Sequence, residues 1–176
     1  MKSLWQNTAD LPDFPTLRGN HKTDVLIIGG GIAGILTAYF LKNKGIDYLL
    51  VEKDRICGGT TGNTTAKITV QHGLTYEKIL KSNGVEAAKL YLKANKVAFD
   101  KYRELTKCID CDYEIKDNFV YSQDRNKLFR EMNALSIIGC NAKLYDSLPI
   151  PVSTAGAVCF PNQAQFHPLK FLSVIS

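Results

Sequence analysis

Gly29, Gly31 and Gly34 fall in the order G-x-G-x-x-G within Gly29-Gly30-Gly31-Ile32-Ala33-Gly34, and an acid, Glu52, lies 18 residues after the last of them. Residues of these types at this spacing can bind a dinucleotide. Gly29 would permit a tight turn out of a strand. Gly31 would let the backbone approach a pyrophosphate, and Gly34 would let a helix pack closely on the strand. Amide N–H groups at the helix start, at Ile32 and Ala33, would face phosphates where the helix dipole also favours negative charge. Glu52 would accept a hydrogen bond from a ribose hydroxyl and would repel a 2′-phosphate.

The flanking elements supply the context that a bare glycine motif lacks. Val25-Leu26-Ile27-Ile28 is an apolar run that stops at glycine, as in a parallel strand buried on both faces. Gly31 to Lys44 reads as a helix with Ile32, Ile35, Leu36, Tyr39 and Phe40 on its apolar side, stopped by Gly45. Tyr48 to Glu52 is a second strand, which completes one right-handed βαβ unit. The fold class is therefore α/β, with a Rossmann-like FAD/NAD(P)-binding βαβ unit.

The βαβ unit alone does not separate NAD from FAD. The run Cys57-Gly58-Gly59-Thr60-Thr61-Gly62-Asn63-Thr64-Thr65 directly follows the second strand. Its small side chains, hydroxyls and exposed amides suit close contact with a diphosphate and a ring system, and this favours FAD. An NAD-binding dehydrogenase or regulatory module is the alternative. It shares the βαβ unit but gives no reason for this composition.

Upstream, residues to about Lys22 form a polar arm, read as extended because of Pro12 and Pro15, with Trp5, Phe14 and Leu17 able to pin it. Downstream, Tyr76 to about Lys81 is a short helix, and Asn83 with Glu86 marks the start of a long one ending near Lys107. Asp112 to Ser122 alternates around Lys116-Asp117-Asn118, which suggests a hairpin. Asp124 to Ile138 is a helix closed by Gly139. Strands follow near Ala142 to Tyr145 and Ala155 to Phe160, and a last helix after Pro168.

The stretch VLIIGGGIAGILTAYFLKNKGIDYLLVEKDRICGGTTGNTTAKIT, Val25 to Thr69, resembles the FAD-dependent oxidoreductases of the D-amino-acid oxidase type, which include glycine and sarcosine oxidases. Phe166-His167-Pro168-Leu169-Lys170 is a second, weaker match, to the family's His/Asp-Pro helix entry. The TTGNTTAKITVQHG stretch and the Trp-bearing arm look most like a branch whose longer members end in a Rieske iron–sulfur domain. The resemblance implies a GR2-type FAD domain interleaved with an antiparallel substrate-domain sheet, whose beginning would be the later strands. It implies FAD as cofactor, an amine or amino-acid substrate, and transfer of a hydride equivalent from a substrate carbon to the flavin.

The implied cofactor-binding residues are Gly29, Gly31, Ile32, Ala33, Gly34, Glu52, Lys53, Gly59, Thr60, Thr61, Asn63, Thr64 and Thr65. Thr65 to His72 would run toward the isoalloxazine. Many members have a small residue, often glycine, where this sequence has Ala66-Lys67, and Lys67 would put a cation near the flavin. No catalytic residue can be named. Family members are considerably longer, so the chain reads as an N-terminal part, which also leaves open a non-catalytic dinucleotide-binding fragment. Residues 1–22 read as an arm, 23–75 as the FAD-binding core, 76–165 as helices and the start of the substrate-domain sheet, and 166–176 as a return to the FAD domain.

Other features favour plainer readings. The sequence is 45% hydrophobic and 22% charged with net charge +5, ordinary for a globular protein and no nucleic-acid signature. Lys89, Lys93 and Lys96 read as a solvated helix face opposite Tyr91, Ala94, Ala98, Tyr102 and Leu105. Cys108-Ile109-Asp110-Cys111 lacks a second ligand pair for zinc, so no metal is expected. Cys57 reads as a small buried residue, and His72 and His167 as structural histidines more readily than proton-transfer groups. Five cysteines without an apolar leader suggest the cytoplasm, and the glycines in Val25–Leu41 argue against a membrane span.

Overall fold

The apolar and turn signals resolve into five helices and six strands among the residues described by the computed structural model, 2–148 and 150–176. In chain order these are α1 (Leu4–Thr8), β1 (Val25–Ile28), α2 (Ile32–Asn43), β2 (Tyr48–Val51), β3 (Lys67–Ile68), α3 (Tyr76–Leu105), β4 (Glu114–Tyr121), α4 (Arg125–Ile137), β5 (Lys143–Tyr145), β6 (Ala157–Gln165) and α5 (Pro168–Ile175). Single 3-10 turns cover Thr60–Asn63 and Thr106–Cys108. The chain divides into two units. One takes the residues through Ala66 with Thr106–Tyr113 and Phe166–Ser176, the other Lys67–Leu105 and Glu114–Gln165.

In the first unit β1 and β2 pair in parallel, Val25 opposite Tyr48 through Ile28 opposite Val51, with α2 as the crossover. Ile27 is the strand residue that α2 covers. Leu26 and Ile28 point the other way and are 54% and 81% exposed, so the expectation of a strand buried on both faces is corrected. A helix lies against one side of the pair only, and alternate side chains of a strand point to opposite sides. On α2, Ile35 and Ala38 are the buried residues while Phe40 is exposed. The arm is not uniformly extended either. Ser3 and Gln6 form a capping box that starts α1, and Phe14 and Leu17 are exposed, leaving Trp5 to pin it.

In the second unit β6 is the central strand. β4 runs antiparallel along one side of it, from Glu114–Gln165 to Tyr121–Ala157, while β3 and β5 pair with its two ends on the other side. The hairpin expected at Lys116-Asp117-Asn118 is therefore one continuous strand, with a bulge where the register shifts. Opposite it lies Pro161, which has no N–H to give a ladder. Asp117 fills the gap by accepting the Asn162 N–H at 2.9 Å on its Oδ1. The alternation seen in the sequence is real, and the turn residues make a bulge.

The core of this unit packs Leu128, Ala134, Leu135 and Ile138 of the α4 region against Tyr76, Ala88 and Leu92 of α3 and Val158 and Phe160 of β6. Tyr76 stacks on Phe160 with ring centroids 6.1 Å apart. α3 is interrupted at Gly84 (φ 84°), close to the expected break, but the Asn83 Oδ1 accepts from Ser82 Oγ instead of capping the next turn. Lys89, Lys93 and Lys96 are exposed as expected; the buried side holds Ala88 and Leu92, while Ala94 and Ala98 are exposed. Among the described residues no helix is long and apolar enough to cross a membrane.

Candidate functional site: a glycine turn closed by Glu52 and Thr61

The turn from β1 to α2 is shaped by backbone sterics. The Gly29 N–H donates to Val51 O at 2.8 Å, which carries the strand pairing one residue past β1. Gly29 then adopts φ +112°, a conformation open to glycine and costly for other residues. Gly34 allows the close approach that follows. A Cβ there would sit 2.0 Å from Gly29 O, so any side chain would force α2 off the strand. Gly31 caps α2 without a side chain of its own, so the first amides of the helix must find partners from elsewhere.

Two residues from outside the glycine run close the turn. Glu52 accepts the Gly30 N–H on Oε2 at 2.7 Å and the Asp54 N–H on Oε1 at 3.2 Å. These bonds, the one from Gly30 first, hold its carboxyl below the ordinary carboxylate value. A carboxylate has about four acceptor positions, so Glu52 keeps capacity for a ribose hydroxyl. Thr61, in the 3-10 turn Thr60–Asn63, accepts the Ile32 N–H on Oγ1 at 3.0 Å. A Cβ on Gly31 would fall 3.2 Å from the same oxygen, so the 3-10 turn sits directly over the start of α2.

The sequence-derived residues are thus only partly gathered. Gly29, Gly31, Ile32, Gly34, Glu52 and Thr61 form one connected cluster. The Ile32 amide is committed to Thr61, which places the Thr61 hydroxyl where that amide pointed. Thr60, Gly59 and Asn63 share the exposed outer side of the 3-10 turn, and Asn63 Nδ2 donates to Gly59 O at 2.9 Å. Ala33 and Thr65 are exposed. Lys53 is exposed and pairs with Asp54 at 3.6 Å. Thr64 accepts the Ala66 N–H on Oγ1. Beyond it, Ala66 takes φ +59°, a left-handed conformation, and Lys67 enters β3 with its side chain exposed.

Cys57 is buried with φ +57°, its N–H donating to Gly30 O at 2.8 Å. Burial, reinforced by Glu52, pushes its thiol up to about 11, so it packs as a neutral group. Burial likewise pushes Cys111 of the C-x-x-C up to about 11. His72 is exposed, its Nδ1 3.2 Å from Tyr91 OH. His167 is buried and caps α5. Its Nδ1 accepts the Lys170 N–H at 3.2 Å, which leaves Nε2–H to donate to Thr8 Oγ1 at 2.9 Å. Burial first, and then the nearby Lys170 charge, lowers its pKa and keeps it neutral.

Sequence reasoning overlooked α1 as part of this region. The Ser3-x-x-Gln6 spacing was the signal that could have located it. Gly30 was also missed as a contributor, because its amide matters through Glu52, 22 residues away.

Comparison with known proteins gives the family of the chain. The family model DAO, "FAD dependent oxidoreductase", matches residues 24–175. The chain belongs to this family. It is 38% identical, over 99% of its length, to the "Putative Rieske 2Fe-2S iron-sulfur protein YhfW" of Bacillus subtilis (strain 168), of which it spans 35%. It is 30% identical over 64% of its length to gamma-glutamylputrescine oxidoreductase of Escherichia coli (strain K12), spanning 27% of that protein. The chain thus covers about a third or less of these two relatives. Its fold matches glycine oxidase from Geobacillus kaustophilus with TM-score 0.67 at 18% identity, over 89% of this chain and 44% of that one. L-proline dehydrogenase from P. horikoshii gives TM-score 0.64 at 17% identity, over 87% and 41%. The cofactor of this family is FAD. The turn fits a diphosphate: side chains are sterically excluded at Gly34, Gly31 puts no side chain of its own over the start of α2, where the Thr61 hydroxyl sits, and Glu52 retains free acceptor positions.

Proposed function

We propose that Gly29, Gly31, Ala33 and Gly34 cradle the pyrophosphate of FAD, that Glu52 holds its adenosine ribose, and that Thr60, Thr61, Asn63 and Thr64 line the path toward the flavin. The observation that carries this reading is the closure of the glycine turn by Glu52 on one side and Thr61 on the other. Glu52 orients the ribose through its unused acceptor positions. The start of α2 stabilises the diphosphate charge, and the Thr61 hydroxyl fixes the 3-10 turn above it. FAD, when bound, supplies the two-electron acceptor, and the protein supplies position and electrostatics.

The protein that carries this stretch oxidises a carbon next to an amine nitrogen. The names of the relatives support this: one acts on gamma-glutamylputrescine and two of similar fold on glycine and L-proline. The iron–sulfur name of the Bacillus relative supports a Rieske-type electron acceptor working with this stretch.

Titration with FAD and with NAD tests the cofactor assignment. FAD should bind with a shift of its visible absorbance bands and NAD should bind far more weakly. Tighter binding of NAD, or no spectral change with FAD, overturns it. Anaerobic addition of amines or amino acids to the FAD-loaded protein should bleach the flavin bands. Bleaching by none of them removes the proposed substrate class.

A further inference from the structure

α1 makes bonds that a mere N-terminal extension would not need. Ser3 Oγ donates to Gly62 O, and Trp5 Nε1 donates to Thr64 O at 2.8 Å. Both acceptors are backbone carbonyls at the end of the 3-10 turn whose Thr61 caps α2. The fit is close as well, since a Cβ on Gly62 would fall 2.8 Å from Gln6 Nε2. On its other side α1 is tied to α5: Thr8 Oγ1 accepts from His167 and donates to Leu4 O at 2.7 Å, and the Trp5 ring meets His167 edge-on at 4.9 Å. A five-residue helix is too short to hold itself. Its order comes from these contacts, and through Gly62 O and Thr64 O it adds to the bonds from Ile32 to Thr61 and from Asn63 to Gly59 that hold Thr60–Thr64.

We propose that α1 is a latch that holds Thr60–Thr64 over the start of α2, with Trp5 as the positioning residue that sets how tightly the flavin-side half of FAD is bound. This rests on the FAD reading above. The indole contributes one N–H to a carbonyl and a ring edge to His167. Trp5→Phe removes that N–H and part of the ring's bulk while keeping a smaller aromatic ring at the site. Coupling of this kind is reciprocal, so bound FAD must also tighten the latch. AMP, which presents an adenosine ribose and a single phosphate, uses Glu52 and the glycine turn but not the far end of Thr60–Thr64, and should be indifferent to it.

The test compares FAD and AMP binding to this chain, to Trp5→Phe and to Thr8→Val. Trp5→Phe should weaken FAD by roughly fivefold, the effect of one neutral hydrogen bond, and leave AMP unchanged. Thr8→Val, which cuts the tie to His167, should act in the same direction. Equal losses for FAD and AMP would mean a general structural role and overturn the proposal, as would no loss for either. If the unmodified chain binds neither ligand, the FAD reading itself has failed. A measurement on the unmodified chain guards against variants that do not fold. Trp5 is the one tryptophan of the sequence, so its fluorescence reports on the latch directly. FAD should reduce acrylamide quenching of that indole more than AMP does; equal quenching with both overturns the latch.

Discussion

In the turn between β1 and α2, shape is decided over a few residues: a Cβ on Gly34 would fall 2.0 Å from Gly29 O, five residues earlier. In the sheet unit the decisive contacts are remote. Glu131, fully buried on α4, accepts the Tyr76 N–H at 3.0 Å and the Glu77 N–H at 2.8 Å, from 55 and 54 residues away. Gln163 of β6 takes the Val70 N–H across 93 residues, and Asn118 donates to Gln71 across 47. The first region is shaped by excluded volume and backbone conformation before Glu52 and Thr61 close it, the second by satisfying polar groups that burial has cut off from water. A local steric constraint fails through one atom too many. A buried polar network fails through one partner too few.

The largest expected effect comes from adding an atom to the turn. Gly34→Ala should cost about 3 kcal/mol, because the clashing partner is backbone and cannot rotate away. Thermal unfolding should show the loss, and FAD binding should fall with it. An unchanged melting point would mean that α2 can shift freely.

Removing a partner from the sheet unit comes next. Glu131→Ala leaves the buried Tyr76 N–H and the half-buried Glu77 N–H without this acceptor and should destabilise by about 2 kcal/mol in denaturant unfolding. FAD affinity measured well below the transition should stay at the unmodified value, since the glycine turn keeps its own constraints. A matching loss of affinity would erase the distinction between the regions.

His167 separates the two kinds of constraint by pH. Its folded pKa lies below the ordinary 6.5, so the stability it contributes is present above about that pH and is lost as pH falls from there through the lowered value. Protonation removes the acceptor at Nδ1, at a cost of about 1 kcal/mol, typical of a helix N-cap. His167→Asn keeps a neutral cap and should flatten this part of the pH profile of the melting point. An unchanged slope would assign the dependence to another group.

The smallest effect returns to backbone conformation. Ala66 has φ +59°, so Ala66→Gly relieves left-handed strain but loosens the unfolded chain, for a net gain of about 0.5 kcal/mol. A loss of stability would show that its buried methyl group matters more than its conformation.

These differences explain what could be read in advance. The βαβ unit, the position of Glu52 and the break near Gly84 follow from signals within a short span, and the structure contains them. The continuous β4 strand could not be told from a hairpin, because Lys116-Asp117-Asn118 has the composition of a turn and its partner residues lie at Phe160–Gln163. The exposure of Leu26 and Ile28 is not legible in the sequence for a similar reason: an apolar strand does not say how many of its faces are covered.

The sequence by itself determined the glycine turn between β1 and α2, since a positive φ at Gly29 and a close helix approach at Gly34 are demands that single residue types meet. It also placed an acid at the end of the next strand. Only the tertiary structure decided that Glu52 is held by the Gly30 amide, that Thr61 covers the Ile32 amide, and that Trp5 and a neutral His167 fasten the first residues to both the 3-10 turn and α5. A hydrogen bond between distant segments depends on where folding brings two backbones together, and neither segment carries that information alone.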